Sequence, residues 1–338
     1  MNNYIVFDLE WNQSAHGKEA SVEDFPFEII EIGAVKLDEQ FHMIDEYHRL
    51  IRPQVYTKMH HVISEVTHMD MEELQRDGES FVTAGADFLK WCGADAVYCT
   101  WGSMDLTELQ RNLAYFGMEN PFPKPLLYYD VQKLYGLFLG EGAKPSLDTA
   151  VAELGLLTER PFHRAPDDAF YTGLVLEQMK PEQILPYVSI DYYRLPDNKD
   201  EEVHMTFPGY SKYVSRIFAS KEDAMKDRGV TGMRCYECGR ALRKKVRWFT
   251  PNQKMYYALA ICPEHGYLKG KIRMKRVDDM RVYVVKTLKL TDEGGAEKIK
   301  SRKEDVRVKR AERSRMKKRR QRDVREIRNV RGKKDGGE

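Results

Sequence analysis

The sequence lacks any apolar run approaching the roughly 18 residues that a membrane-spanning helix requires, so no membrane partner is expected. Its first ten residues, ending in Asp8-Leu9-Glu10, carry no basic segment and soon reach a carboxylate. They do not read as a secretory leader, and a cytoplasmic location is the expectation. Cysteine is scarce: the 5 present are an odd number, which excludes a complete disulfide framework. Cys92 and Cys99 are solitary in apolar surroundings, whereas Cys235, Cys238 and Cys262 are grouped, a pattern that suits a metal better than disulfides. Net charge is also nearly absent, at +2, but this is a cancellation. Residues 1–200 hold 16 Lys+Arg against 34 Asp+Glu, a balance of −18; residues 201–338 hold 39 against 19, a balance of +20. Such asymmetry excludes one uniform domain and points to an acidic globular part beside a basic part suited to a polyanion.

What is present supports folding. Apolar residues make up 42% of the 338, with 14 Phe, 19 Tyr and 4 Trp, which excludes a wholly disordered chain and suits two or three domains. There are no internal repeats. Strand-like runs occur at residues 4–8, 28–37 and 41–51, with short links that suggest an antiparallel meander. Helical patterns follow at 58–66 and 80–92, then a strand at 96–101, a helix at 105–116 and a strand at 126–131. Ser146 caps a helix through Leu154, and a last helix runs from about Asp167 to Met179. This order predicts an α/β domain over residues 1–182. Residues 183–232 read as a linker with local helix, 233–290 as a small β-rich module containing the grouped cysteines, and 291–338 as a basic tail, disordered or helical. From Lys298 onward the tail has 19 Lys+Arg, 7 Asp+Glu and almost no large apolar residue.

Three short patterns carry chemistry. In Phe7-Asp8-Leu9-Glu10-Trp11 the two carboxylates lie two residues apart on a strand, hence on one face. They repel unless a cation lies between them, so the pair reads either as a divalent-metal site or as the polar end of a strand. Asp105 opens a helix and reads either as a cap or as a ligand. His163 precedes a helix that carries Asp167 and Asp168 in its first turn. Taken singly, His163 reads as a loop histidine and Asp167 as a cap.

Together, Asp8-x-Glu10, the later Asp105, and His163-x-Ala165-x-x-Asp168 resemble the DEDDh family of 3′→5′ exonucleases, in particular the branch that trims RNA 3′ ends. Residues 28–35 and Ser146-Leu147-Asp148-Thr149-Ala150 are similar to that family as well, and the likeness spans about residues 1–180. Ala169 follows Asp168 as in the family motif, which assigns the ligand role to Asp168 and not to Asp167. A sister class has Tyr four residues before the last Asp, where this chain has Arg164. The resemblance implies a ribonuclease H-like fold, a mixed five-stranded sheet with helices on both faces. It implies two Mg²⁺ or Mn²⁺ ions held by Asp8, Glu10, Asp105 and Asp168, with His163 as general base and nucleoside 5′-monophosphates as products. RNA is favoured over DNA, with a single-stranded 3′ end as partner. The chain departs from relatives at Trp11, where a small hydroxylic residue is frequent. That indole reads either as a stacking surface for the terminal base or as packing. Leu9, Trp11 and Met69 form the expected substrate pocket, and His60, His61 and His68 read as surface or packing residues.

The second half adds Cys235-x-x-Cys238 and Cys262-x-x-His265, separated by 23 residues. Three thiols and one imidazole match a closed tetrahedral zinc site, structural rather than catalytic, in a module that resembles a zinc ribbon. Residues 246–260 read as a hairpin turning at Pro251-Asn252. Arg243, Lys244, Lys245, Arg247 and Trp248 combine cations with an aromatic ring, a composition suited to single-stranded nucleic acid or to a solvated ribbon face. A reading from a different class remains beside the nuclease: a zinc-ribbon factor that binds RNA or the ribosome and carries an inactive nuclease-like domain.

Overall fold

The computed structural model describes residues 3–252 and 254–334, with the side chains of residue 18 and of residues 317–334 left aside. The chain divides into two compact units, Met1–Leu195 and Pro196–Glu338.

The first unit is built on β1 (Asn3–Asn12), β2 (Glu28–Leu37) and β3 (Met43–Leu50). Next come helices α1 (His61–Thr67), α2 (Met71–Asp77) and α3 (Phe81–Cys92), then β4 (Ala96–Thr100), α4 (Met104–Tyr115) and β5 (Leu127–Asp130). Four helices, α5 (Val131–Phe138), α6 (Leu147–Glu153), α7 (Ala165–Glu177) and α8 (Pro181–Ile184), precede β6 (Ser189–Ile190). The sheet order is β3-β2-β1-β4-β5-β6, with β4 parallel to β1 and to β5 and the other pairs antiparallel. This is the expected ribonuclease H-like sheet, extended by one strand: it has six strands rather than five, because residues 189–190 pair with β5. Two residues are too few for an alternation to show in sequence.

β1 is central and apolar on both faces, as a strand covered by helices on both sides must be. Ile5, Phe7 and Leu9 pack with Phe81, Phe88, Leu106 and Leu109 of α3 and α4. Tyr4 and Val6 pack on the other side with Val131, Val151, Tyr171 and Val175 of α5, α6 and α7. The Tyr4–Val6 row continues into Asp8 and Glu10, so the sheet's own period aims both carboxylates at the face that α7 covers. α7 lies close on β2: a Cβ at Gly33 would collide with the backbone of Ala165 and Pro166.

The second unit contains β7 (Val203–Phe207), β8 (Tyr210–Val214), α9 (Lys221–Lys226) and α10 (Arg228–Thr231). β9 (Lys244–Phe249), β10 (Met255–Cys262), β11 (Gly266–Arg276), β12 (Val282–Thr291) and α11 (Glu293–Lys334) complete it. One six-stranded antiparallel sheet runs β7-β8-β12-β11-β10-β9. The hairpin over residues 246–260 is present as β9–β10. Residues 203–214, expected as linker, instead form a hairpin that extends this sheet beyond the 233–290 module. The turn, Pro208-Gly209 with Gly209 at φ +79, is a hairpin signal. The strands themselves are only five residues long, and only Val203, Phe207, Tyr213 and Val214 of them are buried. The basic tail takes its helical alternative: α11 begins with Asp292 accepting from the Gly295 N–H at 2.7 Å, and Ala296 and Ile299 pack on Val246, Phe249 and Leu259. Residues 335–338 of the tail lie outside the described residues.

Candidate active site

Three carboxylates meet at the end of β1. Single oxygens of Asp8, Glu10 and Asp168 lie within 4.8 Å of one another. Asp168 comes from the first turn of α7, whose start is fixed by Pro166. Asp105, in the first turn of α4, is outside this trio and only 5% exposed. Its Oδ1 accepts the Leu9 N–H at 3.3 Å, which ties it to the strand between Asp8 and Glu10.

The electrostatics show what this convergence costs. Burial, then the charges of Asp105, Glu10 and Asp168, hold the Asp8 carboxyl well above its usual range. Burial pushes Glu10 up to about 9, reinforced by Asp168 and Glu31 and opposed by Arg164. Asp105 rises to about 7 through burial, with its backbone hydrogen bonds opposing the shift. Asp168 also rises to about 7 through burial, against the N–H it accepts from His163. Carboxylates that face one another half-buried, with Asp105 fully buried behind them, each take up a proton more readily than in water.

His163 is exposed and left-handed at φ +66, and its backbone N–H donates to the two Asp168 oxygens at 3.3 and 3.2 Å. This turn is held from below by Glu31, which the sequence reading passed over. Glu31 stands opposite Glu10 in the β1–β2 register, and its side chain has no exposed surface. Its carboxylate accepts from Arg164 Nη2 at 2.7 Å and Nε at 3.1 Å, from the Ala165 N–H at 2.9 Å, and contacts His48 Nε2 at 2.8 Å. Burial alone would raise its pKa, but the bonds from His48, Arg164 and Ala165 outweigh it and lower it. Arg164 thus clamps the start of α7 to β2. The signal available in sequence was a carboxylate flanked by isoleucines near the centre of a mostly apolar strand.

Of the expected pocket residues, Leu9 is buried in the core with its N–H on Asp105. Trp11 is partly buried, at a register shift in β1, with its ring 5.5 Å from that of Phe27. Met69 corrects the expectation of a pocket wall: it has no exposed surface and packs with Ile30 and Leu74 beneath β2. The segment before it is anchored by Asn12, whose Nδ2 donates to the carbonyls of Tyr56 and Lys58 and whose Oδ1 accepts from the His60 N–H.

In the second unit, Cys235, Cys238, Cys262 and His265 form a group whose ligand atoms lie within 4.8 Å of one another. Cys238 and Cys262 sulfurs are 3.7 Å apart, and His265 Nδ1 is 3.7 Å from Cys235 Sγ and 3.6 Å from Cys262 Sγ. Desolvation raises the Cys262 thiol, yet the His265 ring and the backbone N–H groups of Glu264 and His265 bring it down to about 6. Arg243, Lys245 and Arg247 are exposed, and Lys244 Nζ donates to the Thr231 carbonyl at 3.0 Å. Trp248 donates its indole N–H to the same carbonyl at 2.8 Å and packs on Met233 and Ala258, so much of its ring is internal. Its remaining surface lines a cleft of about 600 Å³ with Arg243, Lys244 and Arg247.

Residues 5–176 match the family model RNase_T, described as Exonuclease. A solved full-length 3′-exonuclease is 20% identical, over 56% of this chain and 84% of its own, at a TM-score of 0.45. A 3′-exonuclease solved for 3′-end specific recognition of a histone mRNA stem-loop is 18% identical, over 57% and 92%, at 0.44. E. coli exonuclease I with a dA16 oligonucleotide is 11% identical, over 77% and 55%, at 0.47. No curated protein matches. The matched segment begins in β1 and ends in α7, the two elements between which Asp8, Glu10 and Asp168 converge. Because that match spans half of the sequence, the chain belongs to the RNase_T exonuclease family, and its first unit is an exonuclease domain.

Proposed function

We propose that this protein removes nucleoside 5′-monophosphates from the 3′ end of single-stranded RNA, with two divalent cations, Mg²⁺ or Mn²⁺, bound by Asp8, Glu10, Asp105 and Asp168. The observation that carries the reading is the convergence of Asp8, Glu10 and Asp168 oxygens within 4.8 Å, with buried Asp105 behind them. No lysine or arginine is among the ion-pair partners of these four carboxylates in the described residues, so a cation is the missing counter-charge. Oxygen-only donors suit hard divalent ions. Bound there, such ions supply positive charge against the scissile phosphate and lower the pKa of water.

The chain's own residues do the rest. His163, exposed on the turn before α7, takes the proton of the attacking water at its imidazole. Asp168 fixes that turn by accepting the His163 N–H. Trp11 and Leu9 border the carboxylates, and Trp11 offers an aromatic surface to the terminal base. The preference for RNA rests on the motif resemblance alone.

The second unit supplies affinity. Its basic residues, Arg243, Lys245 and Arg247 among them, attract phosphate that an acidic nuclease unit repels. The Cys235, Cys238, Cys262 and His265 group holds one structural Zn²⁺. Tetrahedral zinc at ordinary bond lengths sets sulfur–sulfur and sulfur–nitrogen separations of about 3.8 and 3.6 Å; the observed ones are 3.7 Å, and 3.6 and 3.7 Å. The test is side-by-side digestion of matched single- and double-stranded RNA and DNA with Mg²⁺ or Mn²⁺, with the released products identified. Stepwise 3′ shortening of single-stranded RNA to 5′-monophosphates is expected. Metal-supplemented protein that binds RNA without shortening it would favour the non-catalytic binding factor instead.

A further inference from the structure

The second unit contains a cavity of about 500 Å³ that the nuclease reading does not use and that meets the zinc group only at Cys235. Its floor is a face of the sheet. His204, Tyr213 and Lys286 stand in one row across β7, β8 and β12, because Tyr213 pairs in register with both others. Two residues along, Thr206, Ser211 and Leu288 form the next row on the same face. All six line the cavity, and its wall is α10 with the segment leading into the Cys235–Cys238 knuckle.

The chemistry of this lining is one-sided. Lys286 is 7% exposed, and its ammonium donates to the Gly229 and Gly232 carbonyls at 2.5 and 3.0 Å. It lies 4.7 Å from the centre of the Tyr213 ring, which in turn is 4.8 Å from the His204 ring. Arg228 and Arg234 are exposed on the wall. No carboxylate lines the cavity. The nearby acids, Glu202 and Asp227, are engaged by Arg216 at 2.6 and 3.1 Å. Neither Arg228 nor Arg234 forms an ion pair with a carboxylate among the described residues. An aromatic pair in the floor, two hydroxyls and two arginines without a carboxylate partner describe a ligand with a flat ring at one end and an anion at the other. The volume falls within the roughly 300–1,000 Å³ of small-ligand sites. It fits one nucleotide and is too small for a duplex.

We propose that this cavity binds one nucleotide, its base against the His204–Tyr213 rings and its phosphate toward Arg228 and Arg234. The inference goes beyond the hydrolytic reading and does not depend on it. A free nucleoside monophosphate and a nucleotide unit within a strand share this chemistry.

The test is calorimetric titration of the full-length protein, without added Mg²⁺ or Mn²⁺, with 5′-AMP, adenosine, inorganic phosphate and hexa-adenylate. One 5′-AMP per chain is expected, bound at least tenfold more tightly than adenosine or phosphate. Arg228→Ala and His204→Ala, both at exposed side chains, are each expected to weaken it about tenfold, the effect of one lost charge-assisted or stacking contact. Asp8→Asn is expected to leave it unchanged, which separates this cavity from the carboxylate site. Hexa-adenylate binding that Arg228→Ala weakens and 5′-AMP displaces would identify the strand as the source. Binding of 5′-AMP alone would identify the free mononucleotide. No 5′-AMP binding together with hexa-adenylate binding that ignores both substitutions would overturn the proposal. So would phosphate binding as tightly as 5′-AMP. Because Arg228→Ala leaves the carboxylates intact, its rate on a dinucleotide reports separately on the hydrolytic reading.

Discussion

Arg164→Met removes the guanidinium that Glu31 requires and tests how the site is held. Glu31 has no exposed surface and accepts two Arg164 nitrogens, at 2.7 and 3.1 Å, together with the Ala165 N–H, and contacts His48. Breaking such a buried pair from one side costs about 3–5 kcal/mol. The Arg164 side chain is 27% exposed, and His48 remains beside Glu31. Solvent and that second partner therefore offset part of the cost, and about 2–3 kcal/mol is expected. Urea denaturation followed by circular dichroism measures it. The catalytic effect is separate: Arg164 begins α7 four residues before Asp168, and a displacement of about 1 Å lowers a rate about 100-fold. Arg164→Lys should fall between the two, since an ammonium cannot reproduce the paired Nε and Nη2 bonds. Glu31→Gln combined with Arg164→Met should be less damaging than the two losses added, because neither charge is then left alone. Arg164→Met with less than about 0.5 kcal/mol lost and an unchanged rate would refute the clamp, since that is the range of ordinary surface substitutions.

Further expectations follow from the same geometry. Glu10, raised to about 9, and Asp168, raised to about 7, favour the protonated folded state without metal. Their contribution to stability is present below the ordinary carboxylate range and lost as pH rises through about 7 and then about 9. The melting temperature without added Mg²⁺ or Mn²⁺ should therefore fall from pH 6 to 9, and Mn²⁺ should restore it more at each higher pH; a profile indifferent to Mn²⁺ would contradict this. Glu10→Gln should raise the metal-free melting temperature at pH 8 while abolishing activity, seen by paired melting and digestion assays. Elemental analysis should find one Zn²⁺ per chain, lost in Cys238→Ser with melting of the second unit; full folding without zinc would exclude the structural role. Met69→Ala should cost about 2–5 kcal/mol in urea denaturation, as core truncations do, whereas a wall of an open pocket would lose far less.

The sequence made the first unit legible where physics is local. A continuous apolar run marked β1, and the period of a strand placed Asp8 and Glu10 on one face before any tertiary contact was known. It did not reveal Glu31, because a carboxylate in a strand acquires meaning only when Arg164, 133 residues later, reaches it. Met69 failed for the complementary reason: whether a methionine between two short helices faces solvent depends on Ile30 of β2 packing against it. α2 and α5 were also passed over, being seven and eight residues long beside stronger strand and loop signals. In the second unit the Cys-x-x-Cys and Cys-x-x-His spacing was explicit. β7 and β8, five residues each, were hidden by their shortness beside a stretch rich in Pro, Asp and Asn, and with them the row of His204, Tyr213 and Lys286, which exists only across three strands.

The most direct measurement is the rate of 3′ shortening of a 5′-labelled single-stranded RNA by wild type, Asp8→Asn and Asp168→Asn, each with Mn²⁺ and with EDTA, alongside circular dichroism of each protein. Metal-dependent stepwise shortening by wild type alone, with all three proteins folded, is the result the converging carboxylates predict. Shortening by wild type in EDTA, or by folded Asp8→Asn with Mn²⁺, would contradict it.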